Sequence, residues 1–321
     1  MIGFVAIGRN EGERLGRCLS SLRAECDRVV YVDSGSTDGS PRLAADLGCE
    51  VVALGAELPF TAARARNAGF QRLVARWPDI VSVMFIDGDC ELAPGFTALA
   101  ARTLDGEPRC GVVAGRVRER ERDKSIYNRL CDMEWATPSG EVTAVGGIFM
   151  TRAAVFARVG GFDPKVIAAE DDELCIRIRA AGFGIRRLDA DMCFHDAGMT
   201  RFSQWWRRAY RAGHAFAQVG AMHKGYFAAE RRRALAYGLL LPLAACSAAP
   251  VTQGASLLAL LLYPASLLRI RWKLVKNGAA GPDASLYAAF LTLSKFPNFL
   301  GIADYWRKRL LARPVGIVEY K

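Results

Sequence analysis

The chain has 321 residues, 51% of them hydrophobic, enough to bury one large core and an appendage, and its formal net charge is +10. That charge is lopsided: residues 1–200 hold 25 Lys and Arg against 29 Asp and Glu, whereas residues 201–321 hold 18 against 4. The first part is therefore an ordinary, slightly acidic domain, and the second is suited to an anionic surface. Nine cysteines with no C-x-x-C pair point to neither a zinc cage nor a disulfide framework, and favour a reducing compartment.

The opening MIGFVAIG lacks the basic flank and length of a signal peptide and is read as the first strand, over 2–8. Leu15, Leu19 and Leu22 then mark a helix over 13–23, followed by a strand over 28–33 and a helix over 37–48. A third strand over 50–54, a helix over 61–77 and a strand over 80–87 complete the series. Strands alternating with helices of this length predict βαβ crossovers and a mostly parallel sheet. Ligands then lie beyond the carboxyl ends of the strands. There the sequence places Asn10-Glu11, Asp33-Ser34-Gly35-Ser36 and Asp87-Gly88-Asp89.

From residue 110 a strand (110–120), a helix (124–136), a Gly-hinged strand and helix (144–163) and a helix over 170–182 follow. After a short apolar strand at Met192-Cys193-Phe194 comes an aromatic and basic helix over 200–220. Residues 234–268 then contain no charge at all, between Arg231-Arg232-Arg233 and Arg269-Ile270-Arg271-Trp272-Lys273.

The acids in VSVMFIDGDCEL (81–92) demand a partner, because alternate strand residues face one way and Asp87 and Asp89 would repel. A turn with solvated acids is one answer. A divalent cation is the other, since hard ions take carboxylate oxygens and bridge to a diphosphate.

The ordered series Asn10-Glu11, VDSGSTDGS (32–40), ARNAG (65–69), FIDGDC (85–90), Gly146-Gly147, GGFDP (160–164), EDDELCIRI (170–178) and His195 resembles family 2 glycosyltransferases of the GT-A fold. The resemblance covers the first 200 residues. It implies a Rossmann-like α/β domain that inverts a sugar while moving it from a nucleoside diphosphate to an acceptor hydroxyl, with Mn²⁺ or Mg²⁺. It also implies roles. Asp33 would accept from the nucleotide base and Glu11 would lie near base and ribose, with Ile7 and Asn10 alongside. Arg66 would approach the nucleotide or its phosphates, and Gly88 and Gly147 would line the donor. Asp87 would face ribose and metal, Asp89 would be the main metal ligand, and His195 would reach the metal or diphosphate. Asp171 would be the catalytic base, with Glu170 and Trp135 on the acceptor side. Four acids at a helix start could also simply complement its dipole, and the base register, Asp171 or Asp172, stays open. Ser36 and Asp38 read as a turn and a helix cap.

Processive members of this family carry Q-x-x-R-W; Gln204-Trp205-Trp206-Arg207-Arg208 lacks the final Trp, which favours a non-processive enzyme. The division expected is a catalytic domain over 1–200, an amphipathic linker over 201–233 and a membrane-associated helical region over 234–321. In that last part Pro242, Pro250 and Gly254 break the uncharged run into a hairpin turning near Pro250, and 284–306 reads as interfacial. Basic flanks place it on the cytoplasmic face, the inner membrane if bacterial. A soluble helical dimerisation region competes with this, and oligomerisation is left open. The partners expected are a nucleoside-diphosphate sugar, a saccharide or lipid-linked acceptor and the membrane, without nucleic acid. Two competing functions are a sugar-phosphate nucleotidyltransferase and a non-catalytic basic membrane-binding protein. The first expects a G-x-G-x-R loop that IGRNEGERL does not supply.

Overall fold

The computed structural model describes residues 1–311; residues 312–321, part of the expected membrane-associated region, lie outside the described residues. The chain divides into two compact units, Met1–Glu121 with Glu134–Ala197, and Arg122–Met133 with the chain from Gly198 onward. Residues 122–133, expected in the catalytic domain, thus group with the C-terminal helices.

The first unit is built on one sheet. Strands β1 (Ile2–Gly8), β2 (Val29–Asp33), β3 (Glu50–Ala53) and β4 (Ser82–Asp87) pair in parallel in the order β3-β2-β1-β4. Phe4, Val5, Ala6 and Val83 to Ile86 are fully buried, as strands covered on both faces must be. Helix α1 (Glu13–Glu25) buries Leu15, Cys18, Leu19 and Leu22, one apolar stripe. Helices α2 (Ser40–Asp46) and α3 (Ala62–Arg76) complete the crossovers, and Thr61 caps α3 by accepting from the Arg64 N–H. The register sets Gly8 beside Asp33 and Ile7 beside Asp87, so three loops leave the same sheet edge.

The rest of the sheet mixes parallel and antiparallel pairs, which corrects the expectation of a mostly parallel one. After β4 come β5 (Cys90–Leu92), α4 (Phe96–Gly106), β6 (Cys110–Glu119), α5 (Ile126–Trp135), β7 (Gly140–Glu141), β8 (Phe149–Arg152), α6 (Ala153–Arg158), α7 (Glu170–Ala180) and β9 (Gly184–His195). The order continues β4-β8-β6-β9-β5, with β8 antiparallel to both its neighbours and β5 antiparallel to β9. Only Gly88 and Asp89 join β4 to β5, yet three strands separate them in the sheet. Four strand spacings of about 4.8 Å exceed the roughly 11 Å that three Cα–Cα links can reach. The sheet must therefore curl, and the register shifts between β6 and β9, at Ala114/Arg116 and Arg116/Val117, are where the pairing gives way. Strand β9 is longer than the Met192–Phe194 stretch its apolar residues marked.

The second unit is helical. Helix α8 (Phe202–Met222) packs along α13 (Lys295–Leu310), where a Cβ at Gly301 would come within 2.0 Å of the Tyr210 carbonyl oxygen. Arg122 and Arg129 both pair with Asp283 at the start of α12 (Gly281–Leu293), while Asn128 accepts from the Met199 N–H. The stretch expected to be one interfacial segment, 284–306, is two helices meeting at Ser294, and Asp304 on the second is buried against Arg307 and Lys308. Gln204 accepts from the Thr200 and Arg201 N–H groups, so it caps α8.

The uncharged run starts in the last turn of α9 (Ala228–Leu235) and continues as a π-turn over Ala236–Leu240, α10 (Leu241–Ala248), and, after a turn, a 3-10 stretch over Ala255–Leu261 leading into α11 (Leu262–Lys276). Ser256 donates to Ala245 and Tyr263 to Tyr237, so the two arms run antiparallel about the turn at 249–254. Among the described residues one helical stretch, Ala255–Lys276, is long and apolar enough to cross a membrane, and none of its apolar window is buried.

Candidate active site

The three loops at the carboxyl edge are sewn together. Asn10, held at φ 55°, donates its N–H to Ser36 Oγ and accepts from the Thr37 N–H at 2.7 Å. Asp38 accepts from Gly12 and Ser40, and Gly88 donates to the Ile7 carbonyl at 2.7 Å. The Asn10 side chain and the Ile7 backbone oxygen are thereby spent on loop geometry, leaving Ile7 itself in the core. Glu11 pairs with Arg14 at 2.8 Å, and its stem lies against Gly8 and Gly88. Buried Asp33 accepts from Tyr31 Oη, Gly35 N–H and Ser36 N–H, which fixes its carboxylate at the end of β2.

Arg66 is the hub. It is 2% exposed, and it donates to Asp87 Oδ1 at 2.8 Å and to Glu170 Oε1 at 2.7 Å. Its ring neighbour is Phe162, 5.4 Å away. Burial works against its charge, but Asp87 and Glu170 more than offset that and raise its pKa. A Cβ at Gly147 would fall 2.2 Å from Arg66 Nη2, so only glycine lets this guanidinium lie flat under the 146–147 turn. Arg66, expected near the nucleotide or its phosphates, and Glu170, expected on the acceptor side, are thus paired with each other.

Asp171 follows Glu170 in the first turn of α7, whose preceding residue Ala169 is held in the left-handed region at φ 57°. A non-glycine residue there stores strain, a feature that concentrates at working sites. Half-buried Asp171 accepts from the Asp172 N–H at 2.9 Å. Loss of hydration, then the charges of Glu170 and Asp172, push its carboxyl well above the ordinary range, with Arg66 pulling the other way.

Asp89 and His195 meet across the β5–β9 pair. Cys90 and His195 are register partners, and His195 Nε2 lies 3.4 Å from Asp89 Oδ1. Asp87 is turned to Arg66 instead, so the two acids of the D-G-D motif face different partners. The carboxylate suits Mg²⁺ or Mn²⁺, and of the two ions Mn²⁺ is the one that also takes an imidazole. The neighbouring Cys90 thiol, whose pKa burial pushes well up, stays neutral and gives such a hard ion nothing. The residues present therefore fit the ion. Trp135, expected on the acceptor side, packs on the His195 ring with centroids 4.5 Å apart.

One contributor escaped the sequence reading. Glu119, in the charged run RVRERER, is buried beside His195 in register and accepts from the Ala197 and Glu121 N–H groups. Burial raises its pKa. It holds the turn that carries His195, and alternating charges in sequence gave no sign of it.

Residues 5–155 match the family model described as Glycosyl transferase family 2. That stretch is similar to a family 2 glycosyltransferase domain. Residues 131–200 also match the model described as the N-terminal domain of galactosyltransferase. Over 119 residues the chain is 29% identical to the probable glycosyltransferase YdaM of Bacillus subtilis, covering 34% of this chain. The match spans only 28% of that relative's length. Among solved structures, the mannosyltransferase PcManGT of Pyrobaculum calidifontis, in complex with GDP-Man and Mn²⁺, superposes with a TM-score of 0.62 at 22% identity. That alignment covers 97% of this chain and 87% of the other. TarS residues 1–349 of S. aureus superpose with a TM-score of 0.51 at 16% identity, covering 96% and 92%. Both likenesses establish the shared GT-A-like α/β fold of the family.

Proposed function

We propose that this glycosyltransferase moves a sugar from a nucleoside diphosphate to an acceptor hydroxyl by a single, metal-dependent, inverting displacement. The observation that carries the reading is the Arg66 clamp, which ties Asp87 to Glu170, a residue 104 positions away from Arg66 in the chain. Through it the neighbours Asp89 and Asp171 belong to one site. Asp171 takes the proton of the acceptor hydroxyl as its oxygen attacks the anomeric carbon. Asp89 and His195 would hold Mn²⁺ or Mg²⁺, which supplies charge neutralisation for the departing diphosphate. Asp33 and Glu11 face the nucleoside, and Trp135 offers a flat apolar surface near the metal ligands for an acceptor ring.

Two measurements test this. Nucleoside diphosphates should raise the melting temperature only with Mn²⁺ or Mg²⁺ present, since a ligand that binds the folded state stabilises it by mass action. Product analysis should find a nucleoside diphosphate and an inverted anomer. Release of pyrophosphate from a nucleoside triphosphate would instead mark a nucleotidyltransferase. The register of the base has its own test: Asp172→Asn should change turnover little, because the Asp172 backbone N–H, which survives the substitution, is what holds Asp171. A collapse of turnover in Asp172→Asn with normal Asp171→Asn would move the base by one residue.

The acceptor we propose is lipid-linked or part of a cell-envelope glycan, reached by a non-processive enzyme docked on the cytoplasmic face of a membrane. In support, Leu243, Val251, Leu258, Leu261, Leu268 and Trp272 of the second unit are exposed. Arg231 to Arg233, Arg269, Arg271 and Lys273 flank them. The full chain should sediment with phosphatidylglycerol vesicles, less so at high salt, and Leu258→Glu with Leu268→Glu should abolish this. A chain that stays free of lipid while forming dimers would favour the competing dimerisation role.

A further inference from the structure

Cys90 lies at the metal end of the site and the transfer reaction has no use for it. Its Sγ lies 3.5 Å from Asp89 Oδ1, and the same oxygen is 3.4 Å from His195 Nε2. One ligand atom from each of the three residues lies within 4.8 Å of the others. Ligands around a tetrahedral ion with bonds of about 2.0–2.3 Å stand roughly 3.3–3.8 Å apart, so two of the three edges already have that length. Thiol, carboxylate and imidazole together are a zinc set, whereas Mn²⁺ and Mg²⁺ draw on oxygen and nitrogen alone. Across divalent ions a nitrogen and sulfur site holds Zn²⁺ more tightly than Mn²⁺.

We propose that Zn²⁺ binds to Asp89, Cys90 and His195 with a fourth position open, and that it excludes the ion on which donor binding depends. The inference rests on the metal reading of Asp89 and His195 given above, and adds regulation of that site by a thiophilic ion. As the sulfur–zinc bond forms, the Cys90 S–H proton passes to solvent, and the thiolate's charge is neutralised by the dication in the dry site. The change needs no oxidant or reductant.

Cobalt is the probe, because a Co²⁺–thiolate bond gives a charge-transfer band in the near ultraviolet. Titrating the full chain with Co²⁺ should produce that band, and Cys90→Ala should lose it. Zn²⁺ should displace Mn²⁺, followed by electron paramagnetic resonance, and Cys90→Ala should weaken zinc by at least about tenfold while Mn²⁺ affinity holds. Cys90→Ser, which keeps the side-chain volume, guards against a packing defect. Cobalt binding without a thiolate band, or zinc affinity unchanged in both variants, overturns the proposal. If the parent chain binds no Mn²⁺, the donor-metal reading fails on that result alone, and the cobalt band still decides this one.

Discussion

Replacing Asp171 by Asn should lower turnover about 10²- to 10⁴-fold while leaving donor affinity nearly intact. That is the range a positioned general base contributes, and the substitution keeps the shape of a side chain that, on the proposed mechanism, serves the acceptor rather than the nucleotide. The pH dependence follows from burial and from Glu170 and Asp172, which raise the Asp171 carboxyl well above its ordinary value. Activity should therefore fall on the acid side as pH drops through that raised value, earlier than for a solvated carboxylate. Stability moves the other way. Between the ordinary and the raised value the folded state keeps a proton that the unfolded state has lost, so ionising Asp171 costs stability as pH rises through that window. Asn carries no such cost. Asp171→Asn should melt at the same temperature as the parent or higher at neutral pH, and a lower melting temperature with equal loss of activity would assign Asp171 to structure instead.

Asp89→Asn should weaken nucleotide binding in the presence of Mn²⁺ by at least about 10- to 100-fold, the cost of losing even a group that only supports a ligand. EDTA should do the same to the parent, and adding EDTA to Asp89→Asn should change little further. His195→Ala should move affinity in the same direction by a smaller step. Calorimetry with and without metal reads all of these. Equal affinity in parent, variant and chelated parent would remove the metal from the reaction.

Some of this was plain in the sequence because local chemistry wrote it there. Apolar runs ending in Asp33 and Asp87 mark buried strands whose last residue faces the ligand edge, and the register between β1, β2 and β4 follows. The partners of Arg66 were hidden for the opposite reason. Which carboxylate meets a guanidinium depends on how two loops close, and one of those carboxylates is Glu170. Strand β9 was seen only at its apolar end because Arg186, Arg187, Asp189 and Asp191 break its alternation, and Arg186, Asp189 and Asp191 pair with charges on other segments, as Asp191 does with Arg118. Glu119 was lost in a run of charges that reads as a solvated face. Its burial comes from the curl of β6 over β9, and curl has no periodicity to read.

Helix α5 bears on how the protein is made. Arg122 and Arg129 leave the ribosome 161 and 154 residues before Asp283, the carboxylate they share. At about 5–20 residues per second that interval is roughly 8 to 30 seconds. Through all of it the sheet can close while Arg129 waits for Asp283 and Arg122 has only Asp123 and Asp132 to pair with. The second unit is therefore set late, because the segment holding Arg122 and Arg129 finds its place only after a carboxylate 161 and 154 residues further on has been made.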